Sequence, residues 1–214
     1  MRLSRQSGLA ALGLLLMFGA VFGGGGAFGE RFLGLPALVS HDLFWWSMFF
    51  AVLLYVGVVE RRPLSSIGLK RPSWKTLAFG IGGAFVLFEF MPVVFYASQL
   101  LHLPLQQNSG TAKVLASAPY WHRLLIVLRA SLAEEVVFRG FAMERIEELT
   151  GSRIAGFLLP LAVFIAAHAA GWGWLVLLGV GVAGTVLGLL YLWRRDLGAN
   201  MIAHFIIDGV QLLA

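Results

Sequence analysis

The 214-residue chain contains no cysteine, so no disulfide framework and no thiolate metal site can form, and any metal would have to bind His, Asp or Glu. Charge is also scarce. Only 13% of the residues are Asp, Glu, Lys or Arg, against 59% hydrophobic, and the mean hydropathy is +0.83. Such a balance excludes an ordinary soluble domain. No ten-residue alternating pattern suggests a barrel, and no internal repeat, glycine-rich phosphate loop, nucleic-acid module or H-E-x-x-H zinc signature occurs. The net charge of +5 does not point to nucleic acid, because the basic residues gather in loops beside apolar runs, where they set orientation and meet anionic headgroups.

What is present is a succession of apolar segments, at about 8–28, 43–59, 77–101, 121–143, 154–170, 173–193 and 199–214. Roughly 20 apolar residues span a bilayer as a helix. The expected fold class is therefore all-α, a polytopic membrane bundle of about seven transmembrane helices. The first segment, LAALGLLLMFGAVFGGGGAFG, reads either as a span or as a signal peptide cleaved near Ala27. With the N-terminus inside, the inner face receives eleven basic residues: Arg2, Arg5, Arg61, Arg62, Lys70, Arg71, Lys75, Arg145, Arg153, Arg194 and Arg195. The outer face receives three, Arg31, Lys113 and Arg123. This asymmetry predicts seven crossings with the N-terminus inside and the C-terminus outside. The inner stretch ERRPLSSIGLKRPSWKT (60–76) reads as a headgroup anchor, and Trp45, Trp46, Trp172, Trp174 and Trp193 as interfacial anchors.

Ionisable residues inside spans are costly and mark function by default. They are Glu89, Arg129, Glu134, Glu135, Arg139, His168, His204 and Asp208. Glu135 and Arg139 stand at i and i+4 with the acid first, the favourable order for an ion pair. Glu134 points about 100° away from Glu135 on an α-helix and finds no base on its own face. It is the candidate for activating water. His204 and Asp208 are also i and i+4, a spacing that suits a metal, an oriented imidazole or a self-satisfied pair. His168 alone reads more readily as structural than as catalytic. Glu89 is expected to partner Arg129, because buried charges pair. Together the polar set suits hydrolysis, with a carboxylate and an imidazole holding a water and further donors facing the oxyanion. Equally, Glu134, His168 and His204 could ligate Zn²⁺. A non-catalytic alternative is an immunity factor, or a small-solute or proton carrier using the same buried groups.

The segments EEVVFR (Glu134 to Arg139), FIAAH (Phe164 to His168) and HFIID (His204 to Asp208) follow the order E-E-x-x-x-R, F-x-x-x-H, H-x-x-x-N/D. In this the chain resembles the CAAX prenyl protease and bacteriocin-processing (CPBP, or Abi) family of intramembrane proteases, over roughly residues 60–214. The resemblance divides the chain into N-terminal segments, 1–59, and a protease core, 60–214. It implies that Glu134 is the general base, that His168 holds the water, and that His204 and Asp208 form the oxyanion site, with Glu135, Arg139 and Phe164 supporting. Asp208 stands where prenyl-protein-processing members often carry Asn, and an ionised Asp cannot donate to an oxyanion. The resemblance leaves the use of a metal open, Zn²⁺ on Glu134, His168 and His204 being the form it would take. The implied substrate is a peptide or protein in or at the membrane, prenylated or not, with the bilayer as the other partner and no nucleic acid. The implied location is a prokaryotic plasma membrane.

One depth problem is visible in advance. His168 lies near the outer end of its span and His204 near the inner end of its own, so shared chemistry requires a shift of helix register.

Overall fold

The computed structural model describes residues 5–102, 114–115, 117–169 and 174–213, with Trp174 and Leu175 described by backbone alone. Arg2, Lys113 and Trp172, used above for topology or anchoring, lie outside the described residues. Among those described, every regular element is helical: α1 (Arg5–Phe22), α2 (Phe28–Leu33), α3 (Ala37–Leu54), α4 (Trp74–Leu100), α5 (Tyr120–Glu134), α6 (Glu144–Thr150), α7 (Arg153–Ala169), α8 (Trp174–Arg194) and α9 (Leu197–Leu213). The chain is an integral membrane protein built as an all-α bundle.

The outward faces remain apolar, with Leu15, Phe85, Tyr96 and Leu100 among the large side chains left exposed. Faces of this kind belong against lipid. Among the described residues, four helices are long and apolar enough to cross a bilayer: Arg5–Phe22, Ala37–Val59, Trp74–Leu100 and Val176–Arg194. The expected seven are not all of this kind. Two of the remaining segments are shorter apolar helices, Arg153–Ala169 and Leu197–Leu213, and α5 is diluted by Arg123, Arg129 and Glu134.

Two apolar clusters hold the bundle. The first joins Leu14 and Met17 of α1, Trp45, Met48 and Val52 of α3, and Ala133, Phe138 and Phe141 of the α5 region, with Phe164, Tyr191 and Leu197. The second joins Ala84 and Leu87 of α4 to Leu187 and Leu190 of α8 and to Ala203 and Ile207 of α9. Trp45, expected at the interface, is instead buried and packs on Phe138 with ring centroids 6.2 Å apart. Trp193 remains exposed.

Between α5 and α6 the helix widens into π winding over Glu135–Met143, and every residue of that stretch is buried. The sequence suggested an uninterrupted α-helix here. In the wider winding, residues four apart still fall within nearly a full turn, so Glu135 and Arg139 keep a common face. The inner loop rests on this stretch at Gly140, where an added Cβ would stand 2.9 Å from the Ile67 carbonyl oxygen. The loop itself turns at Gly68, with φ of 76° and the Tyr191 ring closing over it.

Ion pairs, one buried and the others partly exposed, fix the same loop. Arg145 donates to Glu60 from Nη2 (2.6 Å) and Nε (2.9 Å), and both side chains are fully buried. Arg62 grips Glu148 with two bonds of 2.6 and 2.8 Å. Arg195 donates to Glu144 at 2.6 Å and also pairs with Glu147, while the Tyr191 hydroxyl donates to Glu144 at 2.8 Å. The 60–76 stretch is thus divided: Glu60 and Arg62 serve the interior, whereas Arg61, Lys70, Arg71 and Lys75 stay exposed for headgroups.

α4 begins with a capping box, Ser73 Oγ accepting from the Thr76 amide and Thr76 Oγ1 from the Ser73 amide. Thr76 Oγ1 also donates to Asp196 at 2.7 Å, which ties the start of α4 to the start of α9.

Candidate functional site

Glu135 is the hub of the polar interior. Fully buried, it accepts bonds from Arg139 Nη1 (2.9 Å), His204 Nδ1 (2.8 Å) and Asn200 Nδ2 (3.2 Å). Three donors on one carboxylate satisfy an anion that lipid or protein alone would reject. The other His204 nitrogen, Nε2, lies 3.3 Å from Asp208 Oδ2. His204 is therefore held between two carboxylates on its two ring nitrogens.

Sequence reasoning missed Asn200. Its amide donates to both Glu135 and the Leu187 carbonyl (2.7 Å), and so links α9, α8 and the π-wound stretch. The signal was there in the four-residue spacing of Asn200, His204 and Asp208, which places all three on one face of α9.

Glu134, one residue away, is 7% exposed, and among the described residues it makes no hydrogen bond or ion pair. Adjacent carboxylates therefore occupy opposite situations, one saturated and one unengaged.

His168 donates from Nδ1 to the Phe164 carbonyl at 2.7 Å, because a carbonyl can only accept. That leaves Nε2 with a free lone pair. Phe164 is the joint between helices: its ring packs on Phe138 (5.1 Å), on His168 (4.6 Å) and under the Arg139 guanidinium (4.3 Å). His168 follows Phe164 by one turn, while Glu134 and Glu135 precede Phe138 and Arg139 by one turn. His204 is fixed to Glu135 by its 2.8 Å bond. The two histidines sit on short helices, α7 and α9 being 17 residues each.

A second polar group joins α3 to the earlier part of α5. Arg129, 4% exposed, sets Nε 2.8 Å from Asp42 Oδ1, and His122 Nε2 stands 2.7 Å from Asp42 Oδ2. The partner of Arg129 is therefore Asp42 of α3 and not Glu89, which is exposed on α4. Asp42 went unnoticed because the apolar run appears to start at residue 43, whereas α3 begins at Ala37. Beside it, His41 Nε2 accepts the Trp45 indole N–H at 3.2 Å.

Residues 116–210 match the family model described as type II CAAX prenyl endopeptidase Rce1-like. The match covers less than half of the chain and is a likeness of that segment to the CAAX protease family. The matched segment carries Glu134, Glu135, Arg139, Phe164, His168, Asn200, His204 and Asp208, while α1 to α4 fall outside the match. Within the curated proteins, the uncharacterized protein YpbD of Bacillus subtilis (strain 168) is 33% identical over 99 residues, 46% of this chain and 48% of that one. The chain thus spans about half the length of this relative. No solved structure matches it.

The donor set does not suit Zn²⁺ on Glu134, His168 and His204, the form a metal site would take. Both His204 nitrogens face carboxylates, His168 offers only Nε2, and among the described residues no group of three or more His, Asp or Glu side chains is arranged to hold a metal ion.

Proposed function

We propose that the protein is an intramembrane endopeptidase that hydrolyses a peptide bond of a membrane-associated substrate. The observation that carries this reading is the unengaged, buried Glu134 beside a fully engaged Glu135, within the CAAX protease segment. Glu134 takes a proton from a water that His168 Nε2 helps to hold. The water oxygen attacks the carbonyl carbon, the C–N bond breaks, and Glu134 returns its proton to the leaving amine. With Nδ1–H committed to Glu135, His204 shares a proton between Nε2 and Asp208, and that proton is the donor available to the carbonyl oxygen. Glu135, Asn200, Arg139 and Phe164 hold these groups in place.

In this reading the chain crosses the membrane seven times with its N-terminus inside and its C-terminus outside, residues 60–214 forming the protease core and 1–59 the preceding segments. A prokaryotic plasma membrane is the proposed location, and the substrate is a prenylated or unmodified peptide reaching the site from the bilayer.

The test is turnover by protein reconstituted in vesicles. Glu134→Gln keeps the side-chain size and removes the base, so cleavage falls by about 10²- to 10⁴-fold, the usual worth of a general base. A carrier or an immunity factor would instead show transport or partner binding with no peptide-bond turnover by either protein.

A further inference from the structure

Arg129 is almost completely buried within a membrane helix, and its Nη1 group has no hydrogen-bond partner and no solvent contact. A buried cationic donor left open is costly, and guanidinium suits carboxylate better than any other side chain does. Its surroundings hold it still. Asp42 stands against Nε at 2.8 Å, and His122 in turn engages the other Asp42 oxygen at 2.7 Å. Neither Nε nor Nη1 forms a hydrogen bond, Nε facing Asp42 only as an ion pair. The position is also relevant to the site. Arg129 lies on α5 five residues before Glu134.

We propose that Arg129, fixed by Asp42, is a subsite for a carboxylate of the peptide substrate, placed before Glu134 on α5. This rests on the endopeptidase reading for its location, but binding tests it separately from turnover. The carboxylate is the substrate's chain terminus or an acidic side chain near it. Asp42 belongs to α3, so the subsite joins a helix outside the CAAX protease segment to the helix that bears Glu134.

The probe is a dansyl-labelled apolar hexapeptide in three forms: free terminal carboxylate, terminal carboxamide, and carboxamide with one internal glutamate. Binding is measured to the non-hydrolysing Glu134→Gln protein, alone and combined with Arg129→Gln or Arg129→Lys. A charge-assisted bond predicts that a carboxylate-bearing peptide binds about 10- to 100-fold more tightly than the plain carboxamide. Arg129→Gln abolishes the difference. If that protein does not fold, as judged by helicity and monodispersity, Arg129→Lys carries the test, with part of the preference retained because the charge remains and the planar fork is lost. Tight binding of the internal-glutamate form assigns the carboxylate to a side chain, and of the free-terminus form alone to the chain end. Equal binding of all three peptides, or a preference unchanged in both Arg129 variants, overturns the proposal. Turnover that needs Glu134 but shows no carboxylate preference leaves the endopeptidase standing without this subsite. An Arg129-dependent preference without any turnover does the reverse.

Discussion

At the scale of single residues, neighbouring Glu134 and Glu135 should respond differently to the same change. Glu135→Ala strips Arg139, His204 and Asn200 of their shared acceptor and leaves a buried guanidinium unpaired. Removing one partner of a buried pair costs about 3–5 kcal/mol, so the melting temperature in detergent should drop sharply. Glu134→Gln breaks no bond to a described residue and should melt near the wild type. A similar loss for both would contradict the division of labour between them. A milder effect is expected at the inner surface, where the Arg62 guanidinium bonded to Glu148 holds that carboxyl below its ordinary range. A lowered folded pKa means the pair contributes stability above the ordinary carboxylate pKa and loses it as pH falls through the lowered value. Because both side chains are partly exposed, the contribution is below about 1 kcal/mol. The stability difference between wild type and Arg62→Ala should therefore be present at neutral pH and vanish in acid, as followed by thermal unfolding.

Among the helices, the π-wound stretch is where local geometry decides most. Gly140 permits the inner loop to lie against it, and Gly140→Ala would push a methyl group to 2.9 Å from the Ile67 carbonyl oxygen. Backbone cannot yield as a flexible side-chain end does, so a loss of about 1–3 kcal/mol is expected, with the neighbouring Glu60–Arg145 pair disturbed. Unchanged thermal stability would show that the loop is held by its ion pairs alone. This element also shows how far the sequence could be read. The spacing of Glu135 and Arg139 announced their contact, because positions four apart face one another in either winding. The widening itself left no mark in the pattern. Asp42 and Asn200 escaped for a related reason: periodicity along one helix says which face a residue occupies, but not which other helix supplies its partner. Glu89 was assigned to Arg129 on the general rule that buried charges pair, and the rule failed because Glu89 is on the outside of α4 and Asp42 is closer at hand.

For the whole molecule, hydropathy gave the class of the protein and the motifs pointed to the segment that matches the CAAX protease model, while the number of spans was less legible. The α5 region carries Arg129, Glu134, Glu135 and Arg139, whose charges dilute the apolar signal that marks a crossing. The helices that carry His168 and His204, α7 and α9, are short, at 17 residues each. The proposed orientation can be read directly because the chain lacks cysteine. Ser117→Cys and Ser65→Cys both introduce a sole thiol at an exposed position. In intact cells, a membrane-impermeant maleimide should label the cysteine at 117 and reach the one at 65 only after the membrane is opened. The opposite pattern would invert the topology.

The most direct test of the central claim is peptide-bond cleavage by purified protein in vesicles, comparing wild type with Glu134→Gln on the same membrane peptides by mass spectrometry of the products. The account predicts defined cleavage products with the wild type and their loss, by about 10²-fold or more, with the folded variant. Equal cleavage by the two proteins would contradict it.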